Sequence, residues 1–265
     1  MAGGNWDDLT VRITSGAAMA VVGIAAIVAG GVWFQMLAVF VTAVMVWELW
    51  MMIQPDRPTP GMLMAAFVAS VFGGFLSTER EWLWVFMAIA PLVGAMAIRT
   101  RPRERMTFFL FCFGIQLAGF GLVVFRADFS LAYLLWLVSI VVATDIFGYF
   151  AGRAFGGPKF WPAISPKKTW SGTIAGWIAA ALIGVAFWFY TKAGASVIWL
   201  SVLLSFSGQM GDIAESALKR RTGVKDSSTL IPGHGGLFDR FDALLGASLV
   251  LLIIAYLFDV PGVRF

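Results

Sequence analysis

The sequence predicts an all-α integral membrane protein of about nine transmembrane helices, with its N-terminus in the cytoplasm and its C-terminus on the opposite side. Three observations predict it: an apolar excess too large for one core, nine runs of spanning length, and a lopsided placement of basic residues. The excess is plain in the composition. Of the 265 residues 60% are hydrophobic and 13% are charged, and mean hydropathy is +0.85. A soluble domain lies nearer half apolar and a quarter charged, so lipid must solvate the remainder.

A span needs about 20 mostly apolar residues. Such runs fall at 13–31, 33–53, 61–77, 81–98, 107–125, 129–151, 171–191, 195–218 and 241–260. The first two nearly merge, and Gly30 and Gly31 mark a tight turn between them. Nine spans then sort the 19 Lys and Arg unevenly: Arg80, Arg126, Lys192 and Arg264 fall on one side, and the other 15 on the N-terminal side. Basic residues collect on the cytoplasmic side of membrane proteins, which fixes the predicted orientation. Two loops on that side, 152–170 and 219–240, are long and rich in Gly, Pro, Lys and Arg. Residues 1–106 read as N-terminal transmembrane helices, and 107–265 as a transmembrane region whose two long loops carry the chemistry.

Several classes of protein are excluded. Cys112 is the one cysteine, so neither an intramolecular disulfide nor a thiolate metal cluster can form. The net charge of +4 does not point to nucleic acid, because the basic residues sit in short inter-helix loops beside anionic headgroups. Asp7 and Asp8 precede the first apolar run, where a cleavable signal would carry positive charge, so the first helix reads as retained. There is no Walker A pattern. A secondary transporter tends to place ionisable groups at the midplane of repeated halves, whereas here they gather at one surface and no repeat is visible.

Carboxylates inside a bilayer are costly and usually functional. Those within or at the edges of spans are Glu48, Asp145, Asp212, Glu215, Asp239, Asp242 and Asp259. Asp212, Glu215, Ser216 and Lys219 share one helical face by their spacing, at the cytoplasmic end of the eighth span. Asp239 and Asp242 are three apart where the ninth begins, and the loop between carries Lys225, Asp226 and His234. Asp239 and Asp242 could separately be helix caps, and Asp212 could pair with Lys219 or an arginine. Together, hard oxygen ligands beside lysines and arginines suit a magnesium–phosphate site. A second constellation, Ser165-Pro166-Lys167-Lys168-Thr169-Trp170-Ser171-Gly172, leads directly into the seventh span. A helix N-terminus flanked by lysines and hydroxyls binds anions, although Lys167 and Lys168 alone would also serve as a stop-transfer flank. His234, the one histidine, lies in Pro232-Gly233-His234-Gly235-Gly236, where glycines allow close backbone approach to a phosphate. It reads as a substrate contact, with a turn-stabilising role as the alternative.

The stretch from Ser216 to Asp242, SALKRRTGVKDSSTLIPGHGGLFDRFD, closely resembles the signature of the phosphatidate cytidylyltransferases, the CDP-diacylglycerol synthase family. The matching elements are Ser216, Lys219-Arg220, Lys225-Asp226, Pro232, His234-Gly235-Gly236, Asp239-Arg240 and Asp242. Gly208-Gln209-Met210-Gly211-Asp212 with Glu215, the SPKKTWSG segment, and Asp145…Tyr149-Phe150…Gly152-Arg153…Phe155-Gly156 are also similar to family segments. The resemblance covers about 145–242. Ser171 stands where the family often has Glu, and Phe147 where a small residue is common.

The resemblance implies transfer of a cytidylyl group from CTP to phosphatidate, giving CDP-diacylglycerol and pyrophosphate. It implies Asp212, Lys219, Lys225, Asp226 and Asp239 as catalytic residues, with Asp212 and Asp239 holding Mg2+ and a second cation left open. Ser165, Lys167, Lys168, Thr169, Ser171, Ser216, Arg220, His234, Gly235 and Arg240 would contact substrate. The expected partners are CTP, phosphatidate and the lipid bilayer, with no nucleic acid; a homodimer is compatible with the sequence. The expected location is the inner (cytoplasmic) membrane, multi-pass, with the active site facing the cytoplasm.

Overall fold

The computed structural model describes residues 4–75, 83–258, 260, 262 and 263. Arg80, Asp259 and Arg264 lie outside the described residues, as do the side chains of Asp7 and Asp8. Each of the nine apolar runs forms a helix: α1 (Gly4–Ala29), α2 (Gly31–Ile53), α3 (Pro58–Phe75), α4 (Leu83–Ala97), α5 (Pro102–Val124), α6 (Leu131–Phe155), α7 (Trp170–Tyr190), α8 (Ser196–Thr222) and α9 (Phe238–Leu257). Among the described residues, seven of them are long and apolar enough to cross a membrane, and the apolar stretches of α3 and α4 are shorter. The chain is a multi-pass membrane protein.

It divides into two compact units. The first comprises residues 1–120 and 222–241, the second 121–221 and 242–265. In the first, the turn between α1 and α2 is a single residue, as Gly30 and Gly31 predict: both take positive φ, 63° and 48°, which a side chain would oppose. α2 supplies much of this unit's core through Met45, Val46, Leu49 and Trp50. Trp50 is fully buried, stands edge-on to Phe108 at 5.6 Å and donates through Nε1 to the Arg57 carbonyl at 2.9 Å. That bond satisfies the indole N–H, as burial of a tryptophan requires.

The second unit is built on helices that touch backbone to backbone. α6 carries Gly148-Tyr149-Phe150-Ala151-Gly152 and α7 carries Gly172-Thr173-Ile174-Ala175-Gly176, each a pair of small residues one turn apart. In a membrane such spacing drives close helix packing, because lipid leaves no hydrophobic force between helices. A Cβ on Gly172 would come 2.5 Å from the Gly148 carbonyl oxygen, and one on Gly176 2.9 Å from Thr144 Cγ2. Between α8 and α9 the arrangement recurs: a Cβ on Gly246 would lie 2.5 Å from the Ser207 carbonyl oxygen and 2.9 Å from Gly211 Cα. Buried polar ties fix the register, among them Thr144 to Ser205 at 2.7 Å and Trp136 Nε1 to Ser201 Oγ at 2.9 Å.

Two features go beyond the nine expected helices: a π-helical turn, Phe125–Phe129, between α5 and α6, and a hairpin before α7. The 152–170 loop contains an antiparallel hairpin, β1 (Lys159–Trp161) with β2 (Ser165–Thr169), pairing Lys159 with Thr169 and Trp161 with Ser165. Its second strand runs straight into α7. Thr169 caps that helix, its Oγ1 accepting from Gly172 N at 3.3 Å.

Candidate active site

Within the second unit the hairpin, α6, α7 and α8 enclose a cavity of about 500 Å³. Its wall includes Asp145 and Arg153 from α6, Lys167, Lys168 and Thr169 from β2, and Gln209 from α8. The glycine contacts create it: Gly148, Gly152 and Gly172 all line it, so backbone rather than side chain forms that part of the surface. The hairpin places both lysines there as a pair on a strand, not as a flexible flank.

Lys168 joins this cavity to the carboxylates of α8. Its Nζ lies 2.5 Å from Asp212 Oδ2 and 3.4 Å from the Gln209 carbonyl oxygen. Gln209 is itself pinned, accepting from Trp177 Nε1 at 3.0 Å and donating to the Thr173 carbonyl at 3.3 Å. Asp212 Oδ1 accepts from Ser216 Oγ at 3.2 Å. One turn on, Lys219 pairs with Glu215 at 2.6 Å, and Glu215 is 1% exposed. Asp212, Glu215 and Asp242 bring carboxylate oxygens within 4.8 Å of one another, a group able to hold a metal ion. Three carboxylates so close repel strongly in low dielectric. The donor set, oxygen only and rich in charge, fits a hard divalent cation.

Ser171 goes elsewhere. Its hydroxyl donates to the Gly156 carbonyl at 2.5 Å and lies 3.0 Å from Thr169 Oγ1, tying the hairpin's exit to the end of α6. Ser165 stands opposite Trp161 in the hairpin, and Arg220 is exposed in the last turn of α8.

In the first unit, the segment 222–238 is folded around its own acid. Asp239 Oδ2 accepts from Ser227 N at 2.8 Å, Ser227 Oγ at 2.9 Å and Gly236 N at 2.8 Å. Those three bonds fall on one oxygen and draw the segment around the carboxylate. His234 forms part of a tight turn bridged by Ile231 and Gly235. Its Nδ1 lies 2.8 Å from Ser15 Oγ of α1, and its carbonyl accepts from Arg240 Nε and Nη2 at 2.9 and 2.7 Å. Gly235 takes φ 82° with its Cα beside both Asp239 and Asp226. Lys225 and Asp226 are exposed.

Residues 10–258 match the cytidylyltransferase family. The chain belongs to that family. It is 45% identical over 157 residues to the phosphatidate cytidylyltransferase of Brucella abortus biovar 1 (strain 9-941), covering 57% of this chain and 58% of that one. To the phosphatidate cytidylyltransferase of Bacillus subtilis (strain 168) it is 38% identical over 135 residues, half of each chain. To that of Staphylococcus epidermidis (strain ATCC 35984) it is 34% identical over 177 residues, 62% of this chain and 68% of the relative. The matched stretch thus spans little more than half the length of the first of these.

For a cytidylyltransferase-family chain, two things were hidden from the sequence reading. Glu48 appears there as a carboxylate without a partner; its partners turn out to be Ser228 and two backbone amides of the 222–238 segment. The cavity-lining glycines of α6 and α7 carried a legible signal, the paired small-xxx-small spacing, which the apolar runs around them obscured.

Proposed function

We propose that the protein transfers a cytidylyl group from CTP to phosphatidate, giving CDP-diacylglycerol and pyrophosphate, at the cytoplasmic face of the inner membrane. The observation that carries this reading is Lys168, which lines a cavity of about 500 Å³ walled by Lys167 and Arg153 and at the same time pairs with Asp212 of the carboxylate group. A cradle for anions joined to ligands for a hard cation is what nucleotide chemistry on a lipid phosphate requires. The family match and the names of the relatives agree with it.

In this reaction a phosphate oxygen of the lipid attacks the α-phosphorus of CTP, and the bond to the bridging oxygen breaks as pyrophosphate leaves. A phosphate monoester is already largely dianionic at pH 7, its second pKa being about 6, so no general base is needed. The difficulty is electrostatic: two anions must meet, and negative charge must be held on the leaving group. Lys167, Lys168 and Arg153 offset that charge along the cavity wall, and Thr169 and the α7 N-terminus add fixed dipoles. Asp212, with Glu215 and Asp242, would hold Mg2+, which when bound screens the phosphates from one another. By the resemblance, Lys219, Lys225 and Asp226 would be further catalytic residues, and His234 and Arg240 further substrate contacts.

The test is transfer of label from CTP to phosphatidate by protein in mixed micelles, with and without a magnesium chelator. Label in the lipid fraction that disappears with chelator supports the reading; no label from an intact preparation removes it. Lys168→Ala is expected to cut transfer by ten- to a hundredfold, the loss of one charge-assisted bond, about 1.5–3 kcal/mol. Normal transfer by a folded Lys168→Ala protein would reduce the lysines to a topological flank.

We further propose that all nine helices cross the bilayer with the N-terminus inside, which places 15 of 19 basic residues on the cytoplasmic side. Cys112 is fully buried, so introduced cysteines report without native background. A cysteine at position 159 or 225 should resist an impermeant thiol reagent applied to intact cells and react in inverted vesicles. Labelling from outside would reverse the topology.

A further inference from the structure

We propose that Glu48, on α2, is a positioning residue that holds the 227–238 segment in its working shape. The side chain is fully buried. Oε1 accepts from Ser228 Oγ at 2.6 Å and Leu237 N at 2.9 Å, and Oε2 accepts from Phe238 N at 2.7 Å. Phe238 is the first residue of α9, so two of these donors are amides that the start of a helix leaves without partners. A carboxylate there also meets the positive end of the helix dipole. Glu48 therefore caps α9 from a helix about 190 residues earlier in the chain.

The segment is held from two sides. Glu48 takes residues 228, 237 and 238, while Asp239 takes 227 and 236. The two sets of bonds interleave, and Gly236 lies where they meet: a Cβ there would collide with Ser227 Oγ and with the Glu48 carboxylate. Lys225 and Asp226 enter this clamp, and His234 and Gly235 lie inside it. Its geometry decides where those side chains point. The bonds that Glu48 makes go to Ser228, Leu237 and Phe238, none of them assigned to substrate, so it acts through the segment. The functional half of this inference rests on the transfer reading; the structural half does not.

The experiment is hydrogen exchange by mass spectrometry on the detergent-purified chain, comparing wild type with Glu48→Gln, Glu48→Asp and Ser228→Ala. Glutamine keeps the size and one acceptor oxygen but sets an amide donor against a backbone donor. Peptides covering 227–238 are expected to exchange about ten- to a hundredfold faster in Glu48→Gln, with α6 and α7 unchanged. Transfer by the same protein should fall at least about tenfold, with Glu48→Asp, which keeps the charge, recovering part of both losses. Wild-type exchange across 227–238 in folded Glu48→Gln would overturn the proposal, and so would equal acceleration in every helix. Should Glu48→Gln not fold, Ser228→Ala removes the bond to Glu48 together with the one its hydroxyl accepts from Leu230 N, and exchange must still quicken beyond Leu230, at residues 236–238. Because exchange needs no substrate, loss of the CTP reading would leave this result standing.

Discussion

Asp212→Asn should leave a folded protein with no more than about one per cent of wild-type transfer, a loss on the order of 3 kcal/mol of transition-state stabilisation. Asparagine keeps the shape and one acceptor oxygen, so Ser216 Oγ retains its partner. It removes the charge that faces Lys168 at 2.5 Å and that contributes to the group with Glu215 and Asp242. A salt bridge valued only for stability would predict a lower Tm, with activity following the amount of folded protein. A cation ligand predicts the opposite separation. Removing one of three mutually repelling carboxylates should hold or raise the Tm measured without magnesium, and should abolish the rise in Tm that magnesium produces in wild type. Asp242→Asn should behave alike. Near-normal transfer by well-folded Asp212→Asn would take this residue out of the site.

Gly211→Ala is expected to be strongly damaging for a change of one carbon. Its Cβ would strike the Asp242 carbonyl oxygen and come 3.1 Å from Gly246 Cα. Both neighbours are backbone, so no flexible side chain can yield, and α8 and α9 must separate. Overpacking of this kind costs roughly 1–3 kcal/mol. Here the displacement falls between Asp212 and Asp242, so the magnesium-dependent shift in Tm should shrink together with the Tm itself. Gly114→Ala is the matched control: nothing lies within 4 Å of a Cβ there, and alanine is the better helix former by about 1 kcal/mol. Equal Tm values for the two variants would mean that the close α8–α9 approach does not occur.

Hydropathy and turn chemistry made the helices legible. An apolar run of spanning length has few alternatives in lipid, and Gly30-Gly31 announces a turn by the φ values only glycine takes easily. The hairpin was not legible, because strands of three and five residues within a Pro- and Lys-rich loop show no alternation. The carboxylates were visible as chemistry but only partly as geometry. Asp212, Glu215 and Ser216 share a helical face by spacing, whereas the inclusion of Asp242 depends on how two glycines let α9 approach α8. Glu48 was the least readable. Its donors are two backbone amides and a serine far along the chain, and amides leave no trace in residue type. Ser171 illustrates the converse: its position beside the lysines suggests a ligand, yet its hydroxyl closes the turn onto Gly156.

The length of α8 sets the depth at which this chemistry occurs. Its 27 residues make about 40 Å of helix at 1.5 Å per residue, against a hydrocarbon layer about 30 Å thick. With Ser196 at one boundary, Asp212 lies about 24 Å along, just under the opposite one, and the Lys219–Arg221 turn emerges among the headgroups. On the proposed reading, a lipid phosphate would meet the carboxylates by dipping a few ångströms, without leaving its leaflet. On that reading, bilayer thickness would act as a control on turnover. Host lipids with longer chains would bury the carboxylates below the phosphate plane, and shorter ones would lift them into it. The rate should therefore follow the chain length of the surrounding membrane even when the substrate's own chains are held constant.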